Sequence, residues 1–200
     1  VIILHVDVES GSFAQRLHEC VHRPVAGAGQ LDFGAVHREP RHHALDRAEL
    51  DTRWRQLQAE VHPDRFAADG AAAQRRAMQW AVRVNEAYQR LKDPVRRAAY
   101  LCEQRGAPID AERNTAMPAS FLMQQMAWRE ALDDAEGLAE VEALDVQVSD
   151  AERRLHHDLQ VLLDERADAP AAAAAVRALM FVSRFRQDLE RRLDALDTTR

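Results

Sequence analysis

The sequence predicts an all-α protein in which a helical hairpin is followed by a three-helix bundle. Apolar residues recur at steps of three and four on both sides of His62-Pro63-Asp64. This is the period of a helix that buries one face. Three longer stretches after Pro118 show the same period, and the turn around Asp168-Ala169-Pro170 allows the last two to pack antiparallel as helices of a small bundle.

The first hairpin helix is expected to run from Asp46 to about Val61. Asp46 is a suitable N-cap, and Glu49 follows at the spacing of a capping box. Pro63 ends the helix, because proline lacks an N–H and disfavours helical backbone in the residue before it. The expected buried face of this helix is Leu50, Trp54, Leu57 and Val61.

The second hairpin helix is expected from about Gln74 to Lys92, after a loop of small residues at 67–73. Asp93-Pro94 ends it and starts a short third helix, since aspartate can cap and proline suits the first helical position. Gly106 closes this segment, so the first domain is expected to span residues 42–106. If the two apolar faces pack together, the hairpin presents His62-Pro63-Asp64 at its tip. The apolar face of the second helix is Ala77, Trp80, Val84, Tyr88 and Leu91.

The C-terminal domain is expected to span residues 119–200, after a linker at 107–118 that contains two prolines. Its helices are expected at about 119–135, from before Val141 to about Glu165, and from about Pro170 to Leu196. The second helix has the apolar seam Val141, Leu144, Val148, Ala151, Leu155, Leu159 and Leu162. The third has the seam Ala175, Leu179, Val182, Phe185, Leu189, Leu193 and Leu196, with Phe181 off it.

The first helix of the bundle carries two different lines of side chains. One line consists of Phe121, Gln125, Trp128 and Leu132 and is expected to face the bundle. The other line consists of Leu122, Met126, Glu130 and Asp134, with Met123 beside it. Because a helix in a small bundle buries one face, this second line should be largely exposed. Exposed apolar residues that lead into two acids are typical of a partner-binding surface.

The composition excludes several classes of protein. With 46% hydrophobic and 30% charged residues, 200 residues can form one or two domains with a core. Cys20 and Cys102 are far apart and form no metal-ligand spacing, so neither a metal nor another cofactor is expected, and Cys102 is expected to be a small buried side chain. No apolar run approaches the roughly twenty residues of a membrane span, and no secretory signal pattern is present, which predicts a cytoplasmic protein without a membrane partner.

Charge is distributed unequally along the chain. Residues 46–105 contain 12 basic and 9 acidic residues, whereas residues 106–200 contain 11 basic and 19 acidic residues. The two halves therefore suit different partners. The overall charge of −6 argues against nucleic acid as one of them, because binding to nucleic acid depends on neutralising phosphates.

The hairpin resembles the J-domain family. Its landmarks are His62-Pro63-Asp64 between two helices, then Val84-Asn85-Glu86-Ala87-Tyr88-Gln89-Arg90-Leu91, then Asp93-Pro94-Val95-Arg96-Arg97-Ala98-Ala99-Tyr100. The resemblance implies a co-chaperone, not itself an enzyme, whose loop stimulates ATP hydrolysis by a heat-shock chaperone. It also implies that Asp64 pairs with an arginine of that chaperone, although capping a turn is the plainer alternative. The implied chaperone-binding residues are His62, Pro63, Asp64, Arg53, Arg55 and Arg65.

The basic residues of the first hairpin helix have two interpretations. Arg47, Arg53 and Arg55 lie off the apolar face and are expected to face solvent. A solvated helix face would explain them without any function. In a J-domain, the basic face of this helix is where the acidic chaperone docks, so the resemblance implies a binding role.

The bundle resembles the HscB-type branch of the J-domain co-chaperones, and with the hairpin the likeness extends over about residues 43–197. It is carried by 121–134, Phe-Leu-Met-Gln-Gln-Met-Ala-Trp-Arg-Glu-Ala-Leu-Asp-Asp, and by 176–181, Val-Arg-Ala-Leu-Met-Phe. The resemblance implies that the bundle binds the iron-sulfur scaffold protein IscU and delivers it to the specialised chaperone HscA. Ala127 departs from the family, which tends to have an acid there, and no N-terminal paired-cysteine zinc motif is present, as in bacterial forms. The implied scaffold-binding residues are Leu122, Met123, Met126, Glu130, Asp134 and Phe181.

Residues 1–41 are poorly patterned, and little stable structure is expected there. Glycines interrupt the segment, and no apolar periodicity survives two helical turns. Only Leu31-Asp32-Phe33 resembles the opening of the family, and residues 34–41 depart from it. We hypothesise a local reading-frame error in the underlying gene sequence, which would make this part of the chain non-native. Resequencing tests this hypothesis, and an unchanged sequence would refute it.

Three other functions are alternatives to this one. A metal-dependent hydrolase is disfavoured because His42-His43 and His156-His157 are adjacent pairs, whose side chains diverge on a helix. A DNA-binding hairpin is disfavoured by the acidic C-terminal half. The third alternative is a J-domain protein that brings a different client to a DnaK-type chaperone, since an exposed apolar line does not identify its partner.

Overall fold

The computed structural model describes residues 42–110 and 117–197, and all regular structure in these two ranges is helical. The all-α fold class is therefore confirmed. Residues 1–41 lie outside the described residues, so the expectation for them stays a prediction. The elements are α1 (Arg47–Glu60), a 3-10 turn (Pro63–Asp69), α2 (Ala71–Lys92), α3 (Pro94–Gln104), α4 (Ala119–Asp134), α5 (Leu138–Gln160), a π-helical turn (Val161–Glu165) and α6 (Ala169–Asp197).

The first compact unit contains the hairpin of α1 and α2. The Asp46 carboxylate caps α1 by accepting hydrogen bonds from the N–H groups of Ala48 (2.8 Å) and Glu49 (3.4 Å). The Trp54 ring stacks on the Tyr88 ring, with 4.6 Å between the ring centroids. The expected apolar faces of the two helices therefore meet. The buried members of these faces are Leu50, Val61, Ala77, Val84, Tyr88 and Leu91.

Helix α2 begins at Ala71, three residues before the start predicted from the sequence. Most of the segment 67–73, predicted as a loop, is divided between the 3-10 turn and α2. Gly70 lies between them with φ +90°, a backbone conformation that other residues rarely adopt. The alanines that follow Gly70 are strong helix formers, and this propensity explains the earlier start.

The boundary between the two compact units falls between Arg96 and Arg97, within α3. The sequence had suggested a domain end near residue 106, and that division stays a prediction. In the second unit, the Arg105 guanidinium donates to the carbonyl of Leu163 (2.6 Å). The Arg177 guanidinium donates to the carbonyl of Ile109 (3.2 Å), and Ile109 is buried. Ile109, in the first part of the expected linker, is thus packed and hydrogen-bonded.

The second unit contains a three-helix bundle. Helices α5 and α6 run antiparallel, because a short connection joins them and Arg186, about as far after it as Glu152 and Asp145 lie before it, pairs with both, at 2.7 Å and 3.8 Å. Helix α4 packs along them, and Arg192 of α6 donates to the carbonyl of Ala135 at the end of α4 (2.9 Å). The buried core that joins the three helices is Trp128, Ala135, Val141, Leu144, Val148, Val182, Phe185 and Leu189.

At two predicted seam positions in the bundle, the next residue along the chain is the more deeply buried one. Leu162 is half-buried, and Leu163 takes the buried position in the π-helical turn, where the wider backbone changes which side chain faces inward. Ala175 is also half-buried, whereas the neighbouring Val176 is fully buried. The alanine run before Val176 gives no polarity contrast, so periodicity could not identify its inner face.

Leu189→Ala should destabilise the second unit by about 2–5 kcal/mol, because a fully buried leucine leaves a cavity when truncated. Urea unfolding monitored by circular dichroism measures this loss. Leu122→Ala, at a side chain that is 44% exposed, is the matched control and should cost much less. Equal losses for the two variants would contradict the assignment of Leu189 to the core.

Candidate functional site

The tip of the hairpin is the tripeptide His62-Pro63-Asp64, which is held at both ends by buried side chains. Val61, just before His62, is buried against Val84, and Phe66, just after Arg65, is buried against α2. Between these anchors the His62 side chain is exposed, and the Asp64 side chain is 86% exposed. The tip thus offers a carboxylate to solvent from a fixed backbone. Phe66 was not among the predicted core residues, although it is an apolar residue four positions after His62.

The capping role at the tip belongs to His62. Its Nδ1 atom accepts a long hydrogen bond from the Asp64 N–H (3.4 Å), and its carbonyl accepts from the Arg65 N–H (3.1 Å). Pro63 occupies the first position of the 3-10 turn, which its fixed φ favours. The Asp64 carboxylate lies 3.6 Å from the His62 ring. His62 therefore caps the turn, and the alternative in which the Asp64 side chain does so is not observed.

The basic residues of α1 and the tip differ from one another. Arg55 is exposed and donates to the Thr52 hydroxyl (3.4 Å), and Arg65 is exposed and donates to the carbonyl of Ala59 (3.4 Å). Arg53 is half-buried, so the expectation that it faces solvent needs correction.

Arg47, also expected to face solvent, takes part in a network across the hairpin. Its guanidinium donates to the Asp51 carboxylate (2.8 Å), the Tyr88 hydroxyl (3.1 Å) and the carbonyl of Lys92 (3.3 Å). The Tyr88 hydroxyl in turn donates to Asp51 (2.9 Å). These hydrogen bonds lower the pKa of Asp51, and the bond from Arg47 has the largest effect. The sequence offered only the i,i+4 spacing of Arg47 and Asp51 as a signal, because Tyr88 is distant along the chain.

The difference in unfolding free energy between the parent chain and Asp51→Asn should depend on pH. The pKa of Asp51 in the folded chain is lower than its usual value of 3.8, so above pH 3.8 the ionised carboxylate contributes its full stabilisation. This stabilisation is lost as the pH falls through the pKa of the folded state. The difference should therefore be largest near pH 7 and shrink below about pH 4. Urea unfolding across this range measures it, and a difference independent of pH would contradict the network.

The second line of side chains on α4 is exposed, as the sequence predicted. Leu122, Met123 and Met126 are 44%, 71% and 62% exposed, and Glu130 and Asp134 are exposed at the C-terminal end of the same line. We refer to these five residues as the α4 line. Trp128, on the other side of the helix, is buried in the core. Helix α4 thus separates a packed face from an open face.

An aromatic cluster supports the N-terminal part of α4. Phe121 meets Phe181 edge-on, with 5.9 Å between the ring centroids, and Phe181 stacks on Phe185 at 6.1 Å. The Arg129 guanidinium lies over the Phe181 ring, 5.6 Å from its centroid. Phe181 is therefore half-buried at the side of α4, between Phe121 and Arg129. The sequence placed Phe181 off the seam but gave no signal for its contact with Arg129.

The described residues offer no metal centre: in 42–110 and 117–197, no three or more His, Cys, Asp or Glu side chains are grouped to hold an ion. Cys102 is completely buried, and burial raises the pKa of its thiol to about 11, so it is protonated at neutral pH. His156 is half-buried and His157 is exposed. None of the helices in these ranges combines the length and the apolar character that crossing a membrane requires.

Comparison with known proteins identifies relatives that match most of the chain. A family model described as the HSCB C-terminal oligomerisation domain matches residues 117–190. The co-chaperone protein HscB homologue of Burkholderia multivorans is 50% identical over 162 residues, covering 80% of this chain and 92% of that protein. The homologue of Bordetella petrii is 51% identical over 146 residues, covering 72% of this chain and 86% of its own length.

Solved structures agree with these relatives. The chaperone HscB from Vibrio cholerae is 34% identical and superposes with a TM-score of 0.65, covering 79% of this chain and 94% of that one. Human co-chaperone HscB, at 24% identity and a TM-score of 0.70, covers 82% of this chain and 83% of its own and shows the shared fold. The protein is thus a co-chaperone. It belongs to the HscB family.

Proposed function

We propose that this co-chaperone stimulates the ATPase of an HscA-type chaperone and delivers the iron-sulfur scaffold protein IscU to it during cluster maturation. The observation that carries this proposal is the presence of two exposed surfaces of different chemistry on one chain. The hairpin tip offers a carboxylate beside basic side chains, and the α4 line offers apolar side chains beside acids. Each surface lies in its own compact unit, so each can serve its own partner.

The hairpin tip suits a chaperone surface that contains an arginine. The two oxygens of the exposed Asp64 carboxylate can accept a bidentate pair of hydrogen bonds from a guanidinium. The buried anchors Val61 and Phe66 fix the backbone, which lowers the conformational entropy lost on docking. Arg55 and Arg65 are exposed nearby and favour an acidic rim on the chaperone. His62 and Pro63 shape the loop that presents Asp64.

The α4 line suits a scaffold surface with an apolar centre and a basic edge. Leu122, Met123 and Met126 supply the apolar contacts, and Glu130 and Asp134 supply negative charge at one end. The rigid aromatic cluster around Phe181 supports this surface from the side. Ala127, where the family tends to have an acid, contributes no charge, so one polar contact implied by the family resemblance is missing here.

The test is ATP turnover by an HscA-type chaperone in the presence of IscU, with and without this chain. We expect the chain to raise turnover, and we expect Asp64→Asn and the double variant Leu122→Ala/Phe181→Ala each to reduce that effect. Loss in Asp64→Asn alone would favour the alternative in which a different client is brought to a DnaK-type chaperone. No rise with the parent chain would contradict the proposal.

A further inference from the structure

We propose that Met123 and Met126 form a site of reversible oxidation that weakens binding of the scaffold at the α4 line. The inference rests on the proposed function and adds a mode of regulation to it. Three residues apart on α4, the two side chains are neighbours on one helix face. Both are more than half exposed, so both sulfur atoms are open to small oxidants.

The other methionines of the described residues provide an internal comparison. Met117 and Met180 are half-buried, and burial slows their oxidation. Met78 is 55% exposed, but it lies on α2 in the first compact unit. A peroxide should therefore reach Met78, Met123 and Met126 first, and only two of these three belong to the α4 line.

The reaction with hydrogen peroxide is a two-electron transfer of oxygen. A lone pair of the thioether sulfur attacks one peroxide oxygen, the O–O bond breaks and an S–O bond forms. The departing hydroxide takes the proton of the transferred hydroxyl and leaves as water. The sulfur is oxidised to the sulfoxide and the peroxide is reduced, and methionine sulfoxide reductases reverse the change with electrons from thiols.

Oxidation to the sulfoxide changes the polarity of the surface but leaves the packing of the bundle beneath it intact. An apolar side chain becomes a strong hydrogen-bond acceptor, which must be desolvated when an apolar partner covers it. Glu130 and Asp134, the polar members of the same line, are acceptors when ionised and cannot donate to the new oxygen. Because Trp128 carries the packing of this part of α4, the bundle should remain folded after oxidation.

The experiment treats the full chain with hydrogen peroxide, removes the oxidant and restores thiols before IscU is added. Mass spectrometry maps the oxidised methionines, calorimetry measures the dissociation constant for IscU, and circular dichroism monitors the fold. We expect Met123 and Met126 to be oxidised before Met180, with unchanged helicity and a dissociation constant raised by about tenfold or more. Treatment with methionine sulfoxide reductases should restore binding.

Two variants separate the site from general damage. Met123→Leu/Met126→Leu removes both thioether sulfur atoms, so the affinity for IscU that this variant has before peroxide treatment should be unchanged after it. Met78→Leu should remain as sensitive as the parent chain. Unchanged affinity after complete oxidation of both methionines would overturn the inference, and so would an equal loss in the double variant. Failure of the untreated chain to bind IscU would instead refute the proposed function and the inference with it.

Discussion

Asp64→Asn should reduce stimulation of the chaperone ATPase at least about thirtyfold at subsaturating concentrations, because loss of one partner from a desolvated charge pair costs about 2–5 kcal/mol. Asparagine keeps the size of the side chain but removes the charge and one acceptor oxygen that a guanidinium pairs with. The Asp64 side chain is 86% exposed, so the substitution should leave the hairpin folded. Steady-state phosphate release measures the effect, and circular dichroism checks the fold.

A matched control for this variant is Glu86→Gln, at an exposed acid on α2 away from the tip. It makes the same acid-to-amide change and should leave the stimulation of the ATPase unchanged. An equal loss in both variants would show that stimulation follows net charge rather than the carboxylate at the tip. Full stimulation by Asp64→Asn would contradict the proposed arginine contact.

Leu122→Ala/Met126→Ala should weaken binding of IscU by about two orders of magnitude. Each truncation removes apolar area from the centre of the proposed contact and should cost about 1–2 kcal/mol, which corresponds to roughly a hundredfold for the pair. Both side chains are exposed, so the stability of the bundle should change little. Calorimetric titration with IscU measures the affinity.

The control for this pair is Val146→Ala, at a residue of α5 that is 61% exposed and outside the α4 line. It removes exposed apolar area of a similar kind and should leave the affinity for IscU unchanged. A hundredfold loss in the control, or parental affinity in Leu122→Ala/Met126→Ala, would show that the scaffold binds elsewhere on the chain.

The helical periodicity of apolar residues predicted the buried face of those helices in which large apolar residues alternate with polar ones. Helix α4 is the clearest case, because separating Trp128 from Leu122 and Met126 requires only the helical repeat. The same argument failed in the alanine run that leads into Val176, where all side chains are small and apolar. It could not reveal the π-helical turn that buries Leu163, since a local widening of the backbone leaves no periodic signal.

Contacts between residues that are distant along the chain also could not be predicted from the sequence. The hydrogen bonds that join Arg47 and Asp51 to Tyr88 depend on how α1 and α2 pack, and no spacing along the chain encodes them. The same holds for Arg129 over the Phe181 ring. The exposure of the α4 line followed from sequence, whereas the partner that covers it is inferred from the family resemblance.

We propose that one molecule must carry both the tip and the α4 line to couple scaffold binding to ATP hydrolysis. The most direct test mixes Asp64→Asn with Leu122→Ala/Met126→Ala in equal amounts and measures ATP turnover by the HscA-type chaperone with IscU present. We expect the mixture to stay close to the rate of the more active variant alone. Restoration of the parental rate by the mixture would contradict the claim, because it would show that the two surfaces act on separate molecules.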